Sequence, residues 1–269
     1  MELIAASRIG KARAAVESAR PYAEGITRVI RDLATEGEVA SHPLIAPHAE
    51  VRRVGIIVIT SDRGLAGAYN TNVLRRAERL ARGERGEGRD VALYAVGRKA
   101  ESYFRYRETN PEQTWVGVTD RPRYADAADI GSKVMADYAE GRIDRVWLVY
   151  TNFRSALTQV SAVARLLPVE AESFSGGQGF PPQFMFEPSP SDILSRLIPR
   201  YVEHRVFAGM LESAASEHAS RQRAMKAATD NAGDIIDDLT REANRARQAA
   251  ITTEISEIVG GAEALAPQT

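Results

Sequence analysis

The chain has 269 residues, of which 44% are hydrophobic, and this predicts one or two domains with a packed core. The formal net charge of -1 and the lack of cysteine argue against proteins that bind nucleic acid through a basic surface, disulfide-stapled domains, and enzymes that use a thiolate or a cysteine-ligated zinc. No apolar run approaches the length of a bilayer span and the first residues lack a signal pattern, so we expect a cytosolic protein or one held peripherally on a cytosolic surface.

An amphipathic helix is predicted first, over residues 1–40. Pro21 lacks a backbone N–H, so we expect a kink or a break near Tyr22. The apolar residues of this helix follow each other at alternating spacings of three and four, which is the pattern of a coiled-coil seam: Ile9, Ala12, Val16, Ala19, Ala23, Ile26, Ile30 and Leu33.

Strands and helices alternate through the central segment, residues 50–172. Apolar, branched runs predict strands at 54–60, 91–96, 115–118 and 146–150, and amphipathic runs predict helices at 70–81, 98–106 and 125–138. Such alternation builds a parallel sheet with helices on both faces, a Rossmann-like α/β domain. Apolar and polar residues alternate in the run 157–167, which predicts an antiparallel strand at the edge of this sheet.

The loop after the first strand, Ser61 to Gly67, stands where a doubly wound fold places its ligands. Two glycines three residues apart, with no following Lys-Ser or Lys-Thr, match a phosphate loop only weakly. A tight turn from strand to helix is the better interpretation, and Asp62 and Arg63 remain available there for contacts with another protein.

A helix of unusual length is predicted at the end of the chain, over residues 190–265, after a Ser-, Gly- and Pro-rich loop at 173–189. At about 1.5 Å per residue it would be roughly 110 Å long, so it needs a partner for its apolar stripe. The N-terminal helix offers one, because the same three-four alternation runs through Leu211, Ala214, His218, Arg221, Met225, Ala228, Ala232, Ile235 and Leu239. Two ordinary amphipathic helices in a bundle remain the alternative.

The sequence shows few groups of residues with the spacing of a catalytic or metal-binding site. The four histidines are scattered without ligand spacing, and no serine or carboxylate has a partner that the sequence supplies. We therefore predict no catalytic residue, no cofactor and no metal. The acidic face at Asp234, Asp237 and Asp238 and the basic face at Arg241, Arg245 and Arg247 are typical of solvated helix surfaces.

The segment from Ile251 to Ala264 closely resembles the C-terminal signature of the gamma subunit of F-type ATP synthases. Four further segments are similar to the same family: 225–232, 246–249, 201–203 and 61–67. Their sequences most resemble those of actinobacterial members. The resemblance implies an antiparallel coiled coil of the two terminal helices beside the central α/β domain. This coil would be the rotor shaft inside a ring of three alpha and three beta subunits, with the epsilon subunit and the c ring as further partners.

The resemblance also implies contact residues and a location. Contacts with alpha and beta are expected from Arg247, Gln248, Thr252, Glu254, Ile255, Ile258 and Val259, and from Asp62, Arg63 and Ala66 against the lever region of beta. Contacts with the c ring and epsilon are expected from Phe184, Phe186 and Glu187. Proton flow through the c ring would turn the shaft at the cytoplasmic face of the cell membrane, and the chain itself would perform no chemistry.

One stretch departs from the family pattern, and two rival functions stay open. Residues 1–8 resemble an internal stretch of family members, which carry a further basic helical segment ahead of it. We therefore expect residues 238–251 of the C-terminal helix to lack the segment that pairs with them in the coiled coil. The rivals are a dimeric α/β protein that binds a small molecule at Gly64 to Gly67, and a scaffold whose coil spaces two partners. Neither rival accounts for the signature at Ile251 to Ala264.

Overall fold

A computed structural model describes residues 2–34, 42–169 and 189–265. The described residues form five helices and five strands: α1 Glu2–Ala34, β1 Arg53–Ile59, α2 Tyr69–Gly86, β2 Asp90–Val96, α3 Arg98–Tyr106, β3 Gln113–Trp115, α4 Tyr124–Ala139, β4 Arg145–Phe153, β5 Gln159–Leu167 and α5 Pro190–Leu265. The chain divides into two units, residues 1–223 and residues 224–269, which we describe separately.

The five strands form one sheet in the order β3-β2-β1-β4-β5. The first four are parallel and β5 pairs antiparallel with β4 at the edge, so the predicted mixed sheet and its antiparallel edge are confirmed. β3 ends at Trp115, earlier than the predicted strand at 115–118. The chain turns there because Gly117 has a φ of +82° and its N–H binds the Asp62 carboxylate instead of a neighbouring strand.

Each face of the sheet carries its own apolar cluster, because successive side chains of β1 point to opposite faces. Ile56 and Val58 pack in a cluster with residues of α2 and α3. Ile57 and Ile59 pack in the other cluster with residues of α1, α4 and the first half of α5. The central segment is therefore a sheet covered by helices on both faces, as predicted.

Helix α1 packs antiparallel to the first part of α5. Its N-terminal turns line a groove with Leu211 and His218, while further along α1 the Tyr22 ring lies 5.0 Å from the His204 ring. The helix runs through Pro21 without interruption, so the predicted break does not occur. Proline removes one backbone hydrogen bond, and the burial of α1 residues on both sides of Pro21, among them Ala5 and Ile26, outweighs that loss.

Helix α5 is continuous for 76 residues, which confirms the single long helix predicted from the sequence. Within the first unit its seam is buried as far as Arg221, including the two polar residues that interrupt the apolar pattern. In the second unit every residue from Lys226 to Gly261 is exposed. Across the described ranges, no helix is long and apolar enough to cross a membrane.

Candidate functional site

The strand order reverses between β1 and β4, because β2 and β3 lie on one side of β1 while β4 and β5 lie on the other. Doubly wound folds bind their ligands outside the carboxyl ends of the strands at such a reversal. Thr60 and Ser61 directly follow β1, Thr151 lies near the carboxyl end of β4, and all three are buried. The fold therefore provides the crevice in which sequence reasoning considered a nucleotide.

Helix α5 fills this crevice. The Ser213 hydroxyl accepts a hydrogen bond from the Thr151 N–H at 3.2 Å, and the Ser216 hydroxyl donates one to the Thr151 carbonyl at 3.4 Å. The helix comes so close to β4 that a Cβ on Gly209 would lie 3.0 Å from the Leu148 side chain. The crevice thus holds the chain's own helix, which favours the tight-turn interpretation of the 61–67 loop over a nucleotide site.

The Asp62 side chain links the 61–67 loop to neighbouring segments by hydrogen bonds. Its carboxylate accepts hydrogen bonds from the N–H groups of Gly117 at 2.9 Å, Arg98 at 3.0 Å and Thr119 at 3.1 Å, and from the Thr119 hydroxyl at 2.8 Å. Burial by itself raises the pKa of Asp62, but these donors outweigh it and hold the pKa below its usual value. Asp62 therefore joins three segments as an ionised carboxylate.

The exposed residues of this loop are Arg63, Leu65 and Gly67. Leu65 is 63% exposed and has a φ of +61°, an unusual conformation for a branched side chain. Ala66, by contrast, is buried. Of the three predicted contact residues in this loop, the structure places Arg63 outside, Asp62 half-buried in its hydrogen-bond network, and Ala66 in the core.

A charged network lies beneath the loop, around α5. The Arg221 guanidinium donates one hydrogen bond to Glu217 at 2.5 Å and two to the Gly64 carbonyl, each at 3.2 Å. Glu217 is 1% exposed, and its second carboxylate oxygen has no hydrogen-bond partner in the described part of the chain. Burial raises the pKa of Glu217 to about 7, although Arg221 opposes this rise.

Two neighbours complete the network. Arg8 of α1 donates two hydrogen bonds to the Asp120 carboxylate, at 2.7 and 2.8 Å. His218 lies with its Nδ1 3.5 Å from the Arg221 guanidinium, and burial lowers its pKa, which favours the neutral ring at physiological pH. The network thus ties α1, α5 and two loops of the central domain together.

Asp120, Glu217 and His218 each offer one metal-ligating atom, and these atoms lie within 4.8 Å of one another. Arg8 already binds Asp120 and Arg221 already binds Glu217, however, so two arginines occupy the ligand oxygens and bring positive charge into the cluster. A divalent ion would add further positive charge beside these two guanidinium groups. The donor set therefore fits an ion-pair network better than a metal centre.

The second unit presents an exposed aliphatic surface on one helix. At about 100° per residue, Ile251, Ile255, Ile258 and Val259 fall within one stripe roughly 100° wide, and their exposed fractions lie between 49% and 66%. Arg247 and Gln248 lie on the same side one turn earlier, and both are exposed. Thr252 and Glu254 border the stripe and are exposed as well. All seven predicted contact residues of this helix are therefore accessible to a partner.

Phe184, Phe186 and Glu187, the predicted contacts with the c ring and epsilon, lie outside the described residues. Among the described ones, sequence reasoning missed Leu65, Thr119, Arg8 and Asp120 as parts of the loop and its supporting network. Only Leu65 carried a signal, since it stands between two glycines in a turn. The other three meet their partners across long sequence separations that no local pattern reveals.

Comparison with known proteins gives one family. A family model described as "ATP synthase" matches residues 1–265. The ATP synthase gamma chain of Parafrankia sp. (strain EAN1pec) is 52% identical over 272 residues, which cover 99% of this chain and 91% of that protein. The ATP synthase gamma chain of Arthrobacter sp. (strain FB24) is 50% identical over 271 residues, covering 98% of this chain and 91% of that protein.

Solved structures agree with this assignment. A chain in the central stalk and c ring of the Tetrahymena thermophila mitochondrial ATP synthase matches with a TM-score of 0.66 and 26% identity, covering 85% of this chain and 97% of that chain. A chain of the Euglena gracilis mitochondrial ATP synthase matches with a TM-score of 0.59 over 97% of this chain and 95% of that chain. At 18% identity, the second match supports the fold alone.

Proposed function

We propose that this chain, which belongs to the ATP synthase gamma chain family, acts through contacts alone and has no catalytic residue of its own. It is the central rotor shaft of an F-type ATP synthase. As a subunit of that complex it is associated with the membrane through its partners. We place it on the cytoplasmic face, beneath the ring of alpha and beta subunits and above the c ring, with the epsilon subunit beside it.

The observation that carries this proposal is the exposed aliphatic stripe on α5. Monomeric proteins rarely leave a row of large aliphatic side chains in water, and such a row marks an interaction surface. A surrounding sleeve of apolar residues would cover Ile255, Ile258 and Val259 while forming few directional bonds. A helix can turn in such a sleeve with little resistance, because dispersion contacts are non-directional.

Polar residues beside the stripe supply the asymmetry that a shaft needs. Arg247, Gln248, Thr252 and Glu254 would meet different catalytic subunits as the shaft turns. Each catalytic subunit then contacts a different face of the helix and is biased to a different nucleotide affinity. A contact shifts the conformational equilibrium of a catalytic subunit only if its free energy differs between the conformations. A helix whose faces carry different side chains provides that difference.

The central domain supplies the second contact region. Arg63 is exposed at the tip of the 61–67 loop, with Asp62 and Ala66 supporting that tip from inside. We propose that this tip lies against the lever region of beta. Phe184, Phe186 and Glu187 remain our proposed contacts with the c ring and epsilon.

Coexpression with the alpha and beta subunits of the same source tests the proposal. We expect a purified complex that hydrolyses ATP and turns a bead attached to the central domain. The Ile258→Asp change places a charge in the sleeve and should reduce complex formation or hydrolysis without lowering the stability of the isolated chain, because Ile258 is exposed there.

The matched control is Leu157→Asp. Leu157 is also an exposed aliphatic residue, but it lies in the turn between β4 and β5 and is not among the proposed contact residues. We expect the control variant to assemble and hydrolyse ATP as the unchanged chain does. Failure of the unchanged chain to purify with alpha and beta would contradict the shaft function.

A further inference from the structure

Arg221 links the long helix to the central domain through polar bonds rather than through apolar packing. Its side chain is 6% exposed, and two of its nitrogens bind the carbonyl of Gly64, 157 residues away in the sequence. A third hydrogen bond runs to Glu217, one turn back on the same helix. The guanidinium therefore bridges α5 and the 61–67 loop.

Stability alone does not account for this buried pair. Taking two charges out of water is costly, and buried ion pairs can often be replaced by apolar residues without loss of stability. Glu217 also leaves one oxygen unpartnered among the described residues. What a directional buried pair provides, and apolar packing does not, is one defined register between the elements it joins.

The apolar surface of α5 at this level is poorly suited to set a register. Ala214, Ala215 and Ala219 are buried there, and their small side chains interlock little with a neighbouring element. Dispersion contacts of such small side chains are individually weak and undirected, and the hydrogen bonds of Ser213 and Ser216 join this stretch to β4 and not to the 61–67 loop. The bonds from Arg221 to the Gly64 carbonyl, in contrast, require one orientation of the helix about its axis.

We propose that Arg221, held by Glu217, is a positioning residue that fixes the rotational register of α5 against the 61–67 loop. Torque then passes between the central domain and the shaft without slip at this level. The inference rests on the proposed function, because a register about the helix axis matters most in a part that transmits rotation. Neither residue belongs to the contact surfaces proposed above.

The test uses the complete membrane-bound complex with Arg221→Met and with the double change Glu217→Gln and Arg221→Met, which removes both charges. ATP hydrolysis and ATP-driven proton pumping are measured on the same inverted vesicles. We expect pumping per ATP hydrolysed to fall by about threefold, while the amount of complex and its hydrolysis rate stay nearly unchanged. Arg221→Lys, which keeps one cation, should restore part of the coupling.

The control is Arg196→Met on the same helix, because Arg196 is exposed. It should leave pumping per ATP unchanged. A purely structural role of Arg221 would lower the amount of complex and reduce hydrolysis and pumping in proportion. Either that proportional loss or unchanged pumping per ATP in the Arg221→Met complex overturns the proposal.

A second measurement works on the isolated full chain and is independent of assembly. In Arg221→Met, amide hydrogen exchange across residues 61–67 should become about tenfold faster, while exchange in β1 stays unchanged. Unchanged exchange in the loop would overturn the positioning role. Failure of the unchanged chain to assemble with alpha and beta would instead contradict the proposed function, so the two failures are distinguishable.

Discussion

Arg8 and Asp120 form a two-pronged ion pair that joins the first helix to the segment between β3 and α4. One guanidinium nitrogen lies 2.7 Å from one carboxylate oxygen and 2.8 Å from the other. The two side chains are 27% and 21% exposed, so water screens the pair only partly. The pair is therefore a charge-assisted, partly buried contact between α1 and the central domain.

We expect a double-mutant cycle with Arg8→Met and Asp120→Asn to give a coupling energy of about 1 to 2 kcal/mol, because charge-assisted bonds in partly buried sites exceed those at the surface. Urea unfolding of the four chains measures it. The same cycle on the exposed pair of Arg13 and Glu17, with side chains 66% and 55% exposed, should give less than about 0.5 kcal/mol. Equal values for the two pairs would show that Arg8 and Asp120 contribute only a surface contact.

The Asp62→Asn change should destabilise the chain by about 2 to 3 kcal/mol, because the amide replaces one of two carboxylate oxygens that accept bonds from Arg98, Gly117 and Thr119. Thermal unfolding and the free energy in urea both report this loss. Since the pKa of Asp62 is held below its usual value, the difference between the two chains should persist above about pH 4 and shrink under stronger acid. Asp234→Asn, at an exposed position on α5, serves as the control and should change stability little.

Gly97 and Gly83 should respond to alanine in opposite directions. Gly97 has a φ of +96°, and an added Cβ would lie 2.6 Å from the Thr60 carbonyl oxygen, so Gly97→Ala should cost at least about 3 kcal/mol. Gly83 lies inside α2 with open space around its Cα, so Gly83→Ala should stabilise the chain by up to about 1 kcal/mol. Denaturant unfolding of both variants measures the contrast, and a harmless alanine at position 97 would contradict the close approach of β1 and the start of α3.

The sequence was sufficient for β1, β2 and β4 and for the long helix, whereas β3 lies at Gln113–Trp115 and not at the predicted 115–118. The run of branched residues in β1 is buried along nearly its whole length, so its periodicity and its environment agree. Helix α5 is predictable because glycine and proline are almost absent from it after Pro199. At Pro21 the predicted break does not occur, since α1 continues through this residue and packs on both sides of it.

The contacts that build the 61–67 loop were not predictable in the same way. Asp62 meets Thr119 across 57 residues and Arg221 meets Gly64 across 157, and neither meeting leaves a spacing pattern in the chain. The sequence correctly placed Asp62 after the carboxyl end of β1. It left open whether the Asp62 carboxylate contacts a partner protein or the loop itself. The fold decides this, because three N–H groups from two other segments, the start of α3 and residues 117–119, converge on that side chain.

The stability of the chain should depend on pH through Glu217. Burial raises the pKa of this carboxyl to about 7 in the folded chain, compared with an ordinary value of 4.5. Between these two values the folded chain keeps a proton that the unfolded chain has lost, so stability falls as the pH rises through this window. The loss attributable to Glu217 should reach roughly 3 kcal/mol above pH 7.

Glu217→Gln isolates this effect, because the amide keeps an acceptor for Arg221 and does not titrate. Other titratable or charged groups face Glu217, namely His218, Asp62, Asp120, Tyr69 and Arg221, and they remain in both chains. His218 acts in the opposite sense, since its lowered pKa adds stability as the pH rises through the range below its ordinary value. The difference between the two chains therefore carries the Glu217 contribution. We expect the unfolding free energy of the unchanged chain to drop by about 2 to 3 kcal/mol relative to Glu217→Gln between pH 5 and pH 8. Parallel pH profiles would show that Glu217 stays ionised in the fold and that Arg221 fully offsets its burial.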